Sequence, residues 1–216
     1  MTVLLLVRHG QTPTAGKTLT GWQRGVHLTD RGREQADALV ARLEGVPVAA
    51  IYSSPLERCR ETAAPLAAAR GLPVRVRRGL IETGYGDWTG RSIAQLRRTR
   101  LWRTLQRSPS AIRFPAGESL RDVQTRAVDE TLAIAADHPN DVVVIVTHAD
   151  VVRLALAHFA GMHVDLFERL TVEPGSVSAV AVHDGLARIV KVNDTGDLLG
   201  LRPPRRARSR SRKVRG

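Results

Sequence analysis

The sequence predicts an α/β fold: a three-layer α/β/α domain with a mostly parallel central sheet, an antiparallel edge hairpin and an inserted flap. Three observations predict it. Short apolar runs alternate with stretches of helical periodicity, the pattern of strand–helix–strand units. Two of those runs, residues 4–7 and 142–146, lead at once into polar residues that include a histidine. Late in the chain, residues 176–182 and 186–192 flank His183-Asp184-Gly185, a hairpin turn signal that belongs at a sheet edge.

Residues 4–7 are short, Val/Leu-rich and followed by turn residues, so they read as a buried strand. Strands of an open α/β sheet deliver ligand-binding groups at their carboxyl ends. Arg8 and His9 stand there, and Gly10 lets the backbone turn and approach a ligand closely. Taken alone, Arg-His-Gly is equally well an ordinary polar strand end, and only partners elsewhere in the chain can decide. A polar loop follows. Thr29 then caps a helix reaching about residue 44, with Ala36, Leu39, Val40 and Leu43 at helical spacing and Gly45 as its stop. Residues 48–52 form a second buried strand. Ser54-Pro55-Leu56-Glu57 reads as a capping box with proline at the first helical position, opening a helix that Gly71 ends. Residues 74–76 are a short strand, and the glycine-punctuated segment 82–90 must be loop.

Residues 91–117 are Arg-rich, irregular and carry Trp102; they read as an inserted flap with one or two short helices. A helix over 119–136 follows, with Leu120, Val123, Ala127, Leu132 and Ile134 among its apolar positions. Residues 142–146 are the most hydrophobic run and therefore the central strand. They lead into Thr147-His148-Ala149-Asp150, and a helix over 151–160 closes at Gly161.

A chain of 216 residues suits one domain, here 1–200, followed by a basic tail, 201–216. No apolar run approaches the roughly 18 residues of a membrane span, and the first strand starts with no basic leader, so the expected location is cytoplasmic. The single cysteine, Cys59, excludes an internal disulfide framework and a cysteine zinc site. A cysteine phosphatase would want arginine six residues on, where Pro65 stands. The net charge is +12, but Arg205 to Arg215 carries seven of those charges and leaves +5 for the rest. With Val214 the one apolar side chain larger than alanine over 205–216, that stretch reads as disordered. Nucleic acid is a possible partner only through that tail, by unspecific electrostatics; otherwise it is a solvated appendage.

Four positions look like one site. Arg8 and His9 follow the first strand, Arg58 lies in the first turns of the helix after the second, and His148 follows the central strand. Two guanidiniums and two imidazoles at strand exits suit a small, highly charged anion, because arginine's planar fork matches phosphate oxygens and a helix N-terminus adds N–H donors. Glu82 is the carboxylate able to hang over this cluster. The histidines at 27, 138, 158, 163 and 183 have no metal-ligand spacing, and Trp22 and Trp88 read as packing residues, with Trp102 placed to touch a substrate. The stretch Gly10 to Lys17-Thr18 imitates a nucleotide-binding P-loop. It has five residues between its glycines where that motif needs four, and Gly21 and Gly25 oppose a helix at the lysine.

Arg8-His9-Gly10 after a strand, Ser54-Pro55-Leu56-Glu57-Arg58-Cys59-Arg60-Glu61-Thr62, Glu82 with Gly86, Trp88 and Gly90 behind it, Gly117-Glu118-Ser119, and a strand ending at His148 together resemble the histidine phosphatase superfamily, in its phosphoglycerate-mutase-like branch. Met162-His163-Val164-Asp165-Leu166-Phe167 and the cysteine after Arg58 are similar to an actinobacterial-type phosphomutase or phosphatase subgroup. The resemblance implies a phosphomonoester hydrolase acting through a phosphohistidine on a small phosphorylated metabolite. His9 would be the nucleophile, Arg8, Arg58 and His148 the oxygen donors, and Glu82 the proton donor. Gly10, Gln11, Thr12, Thr20, Gly21 and Ala149 would bind substrate. No metal or other cofactor is implied, since the arginines supply the charge. The chain departs from the pattern at Ala149-Asp150, where glycines usually follow the second histidine, and at Ala15, where mutases usually carry asparagine. A methyl group and a carboxylate there disfavour highly anionic substrates. Thr20-Gly21-Trp22 does resemble the mutases. Hydrolysis is thus expected over phosphoglycerate-mutase-type transfer. The remaining alternative is a non-catalytic relative that binds anions or, through the tail, nucleic acid.

Overall fold

The computed structural model describes residues 1–196. The domain boundary expected at residue 200 and the basic tail lie outside the described residues. Six strands form one sheet in the order β3-β2-β4-β1-β5-β6. β1 (Thr2–Arg8), β2 (Val48–Ser53), β3 (Val74–Val76) and β4 (Val142–Thr147) pair in parallel, while β5 (Val177–His183) and β6 (Leu186–Asp194) add an antiparallel edge. The α/β class, the mostly parallel sheet and the edge hairpin are as the sequence predicts. Asp184 and Gly185 both take positive φ in the hairpin turn, at 48° and 77°.

β1 and β4 are buried almost throughout because both faces of the sheet are covered. On one face Leu39 of α1 (Asp30–Arg42), its C-cap Leu43, and Ala63 and Leu66 of α2 (Glu57–Arg70) pack on Leu5, Val7, Val144 and Val146. On the other, Ile134 of α5 (Leu120–Asp137) and Val152 and Leu156 of α6 (Ala149–Phe159) pack on Leu4, Leu6, Val143 and Ile145. The register does the positioning. Arg8 is level with Thr147 and Ser53 with Val146. The next residues, His9, Ser54 and His148, therefore emerge side by side at the carboxyl ends, and the amides of His9 and Ser54 donate to the carbonyls of Thr147 and Val146.

The flap is more ordered than its sequence suggests. It holds α3 (Ile93–Leu96) and α4 (Arg100–Arg107), and Leu96, Leu105, Ile112 and Phe114 join Trp88, Leu120, Leu154 and Phe167 in a third apolar cluster. The cap expected at Ser54 does not form. Leu56 is the N-cap of α2 without a side-chain hydrogen bond, and Ser54, two residues before it, has its hydroxyl 2.7 Å from His148 Nε2. Ser119 does form a capping box, with Asp122. α6 begins two residues earlier than expected, directly after His148.

Candidate active site

His9 is 6% exposed, and its ring lies 5.2 Å from that of His148, tilted by 67°. Nδ1 of His9 lies 2.8 Å from the Gly10 carbonyl, which can only accept. The ring proton is thereby held on Nδ1, and the lone pair sits on Nε2. Burial, reinforced by the Arg58 charge, lowers the His9 pKa to about 3, so the ring is neutral.

Arg58 is 1% exposed; it donates to the carbonyls of Gly21 and Gln23 at 2.8 and 3.4 Å. Arg8 donates to the Val172 carbonyl at 2.6 Å. Burial lowers its pKa from the ordinary value, partly countered by Glu82. The Nε of each guanidinium is buried and has no hydrogen-bond acceptor among the described residues. An unpaired buried donor is costly, and an anion would relieve both.

His148 is fully buried, with its pKa held well below the usual range by burial and the Arg58 charge. Its Nε2 lies 2.7 Å from Ser54 Oγ, and the Leu56 amide donates to that same oxygen at 3.4 Å. Nδ1 lies 3.8 Å from Glu82 Oε2. Cys59 Sγ packs 3.4 Å from Nε2, and burial pushes its thiol far up, so it is inert.

Glu82 is 8% exposed, with Oε1 accepting from the Thr83 amide at 2.9 Å. Burial first, and the nearby Asp150 charge second, push its pKa up to about 7. Its loop is strapped down. Arg126 of α5 donates to the carbonyls of Gly79, Ile81 and Glu82 at 2.9, 2.6 and 2.8 Å, and pairs with Glu118, which accepts from the Gly84 amide at 2.7 Å. Trp22 Nε1 also donates to the Glu82 carbonyl.

A cavity of about 250 Å³ opens over this cluster, and Arg8, His9, Thr12, Thr20, Glu82 and Ala149 are in its walls. Arg58 and His148 are not; they lie buried against His9. Gly10, Gln11 and Gly21 do not line it either. A Cβ on Gly10 would stand 2.4 Å from the Gly32 carbonyl oxygen, so the missing side chain admits α1 rather than a ligand. The Gln11 amide donates to Gln35 of α1 and its carbonyl accepts from Thr29. Gly21, at φ 47°, turns its carbonyl to Arg58. Trp102 does line the cavity, stacked on Trp88. Sequence reasoning missed Tyr85, Arg153 and Glu168 in the walls and Arg126 and Ser54 in support. Only Ser54 carried a signal, and it pointed to a helix cap. The P-loop look-alike takes a short turn over residues 13–17 with no helix at Lys17.

The sequence matches the model of the histidine phosphatase superfamily (branch 1) over residues 4–195. It is 28% identical over 200 residues to phosphoserine phosphatase 1 of Hydrogenobacter thermophilus, covering 90% of this chain and 93% of that one. It is 32% identical over 203 residues to the bifunctional protein Rv2228c of Mycobacterium tuberculosis, covering 91% of this chain and 55% of that protein's length. Among solved structures, Bacillus stearothermophilus YhfR superposes with a TM-score of 0.84 at 31% identity, covering 92% and 98% of the two chains. The mycobacterial glucosyl-3-phosphoglycerate phosphatase Rv2419c does so at 0.80 and 28%, covering 88% and 98%.

Proposed function

This chain belongs to the histidine phosphatase superfamily (branch 1), and from that premise we propose that it hydrolyses phosphomonoesters without a metal, through a phosphohistidine on His9. It is a phosphatase of small phosphorylated metabolites, in line with relatives named for phosphoserine and glucosyl-3-phosphoglycerate. One observation carries the mechanism. A neutral imidazole with its lone pair on Nε2, in the field of two arginines, shares a cavity with a carboxyl group whose pKa is near 7.

His9 Nε2 attacks phosphorus in line and forms the P–N bond as the ester P–O bond breaks. Charge on the equatorial oxygens is met by Arg8, Arg58 and His148. Glu82, its pKa raised toward neutrality, gives its proton to the leaving alkoxide. Its carboxylate then takes a proton from water as the water attacks phosphorus. The P–N bond breaks, inorganic phosphate departs and His9 is regenerated. Phosphoglycerate-mutase-type transfer is less favoured, because Asp150 carries a negative charge into the cavity wall.

A leaving-group series tests this reading. Glu82→Gln slows alkyl phosphates about 10²- to 10³-fold and p-nitrophenyl phosphate far less, since a good leaving group needs little protonation. His9→Ala abolishes both. Equal slowing across the series contradicts the role of Glu82, and turnover by His9→Ala contradicts the nucleophile.

A further inference from the structure

Beyond the phosphate-binding end, the cavity is lined by two unlike sets of side chains. One is apolar: Leu19, Trp102, Leu105, Phe114 and Phe167. The other is built from Tyr85, Asp150, Arg153 and Glu168. Asp150 is the second residue of α6 and is fixed on both oxygens. Tyr85 donates its hydroxyl to Oδ2 at 2.7 Å, and Arg153 donates to Oδ1 at 3.2 Å. Arg153 is itself held by the Leu170 carbonyl at 3.0 Å. Glu168 accepts from the Gln106 amide at 3.2 and 3.3 Å.

The charges of this outer half decide what it can hold. Arg8 and Arg58 are matched by the two charges of a bound phosphate. What remains is Asp150 and Glu168 against Arg153, one excess negative charge, with Asp150 and Arg153 half-buried and Glu168 exposed at the rim. A leaving alcohol with its own carboxylate or second phosphate meets repulsion there. Carboxylate oxygens can each accept further hydrogen bonds, so a hydroxyl or ammonium group finds acceptors. The apolar side chains of the lining cover the carbon skeleton.

We propose, resting on the phosphatase reading, that this outer half is a specificity subsite for phosphomonoesters of non-anionic, donor-bearing alcohols, with Asp150 as the residue that excludes a second anion. The order of preference is ammonium-bearing, then neutral polyhydroxylic, then carboxylate-bearing. This goes beyond disfavouring a mutase reaction, since it names the leaving group that the wall accepts.

The test compares kcat/KM for glucosamine 6-phosphate, glucose 6-phosphate and 6-phosphogluconate, three six-carbon esters differing at the far end, with p-nitrophenyl phosphate as reference. The first two exceed 6-phosphogluconate by about tenfold or more, and Asp150→Asn shrinks that ratio about tenfold by removing one close charge. Glu168→Gln, an exposed and nearly isosteric change, shifts the ratio the same way by less. Faster turnover of 6-phosphogluconate, or a ratio unmoved in both variants, overturns the subsite while p-nitrophenyl phosphate turnover preserves the phosphatase reading. Absence of turnover on every ester, the aryl one included, overturns that reading and the subsite with it.

Discussion

Glu82 is a carboxyl group that folding makes hard to ionise. Its pKa rises from 4.5 to about 7, chiefly by burial and then by the Asp150 charge. A raised carboxyl pKa means the folded state binds its proton more tightly than the unfolded one. Stability is therefore undiminished below about pH 4.5, declines as pH rises towards 7, and stays reduced above it. The shift converts to a ceiling of about 3 kcal/mol. Glu82→Gln should therefore be more stable than the parent at pH 8 and equal to it at pH 4, measured by urea unfolding. A variant less stable at pH 8 contradicts the account. The same property is what makes the group useful, since a carboxyl poised near neutrality can both give and take a proton. His9 behaves oppositely: with its pKa near 3 it stays a neutral nucleophile across the working range. Its identity, with those of Arg8, Arg58, His148 and Glu82, was legible because strand ends and an ordered set of motifs announce them. Tyr85 and Arg126 were not, because side chains that reach carbonyls or carboxylates 44 to 65 positions away leave no local pattern.

At the scale of elements, the site depends on registers and straps. Adjacent pairing of β1, β4 and β2 delivers His9, His148 and Ser54 together, and apolar strand runs made that arrangement readable in advance. The loop bearing Glu82 is different, having neither helix nor strand to hold it. Arg126 of α5 does so through three carbonyls and Glu118. A lysine cannot bridge that set, lacking the fork. Arg126→Lys should lower kcat on alkyl phosphates about 10- to 100-fold and on p-nitrophenyl phosphate less, with KM little changed, because a small displacement of the acid suffices. Equal loss on both esters would reduce Arg126 to a stabilising role. Two elements were misread for one reason. Ser54 offers a cap motif and Gly10 a turn, yet a distant partner claims each: His148 takes the hydroxyl, and Gly32 fills the space beside Gly10. The flap's order likewise depends on partners outside it, Trp88, Leu154 and Phe167.

Across the whole molecule, the sheet brings cations to one end and the flap with α6 closes a partly acidic chamber above them. No helix among the described residues is long and apolar enough to cross a membrane. The fold class was readable from alternation and run length alone. The chamber was not, since its walls come from many separate stretches between residues 8 and 168. The central claim is that phosphoryl transfer passes through His9 Nε2. Brief mixing with a phosphomonoester carrying radiolabelled phosphorus, followed by quenching in alkali, tests it most directly. The account predicts one label per chain, stable in alkali, lost in acid and absent from His9→Ala. Label that survives acid, or that persists in His9→Ala, would contradict it.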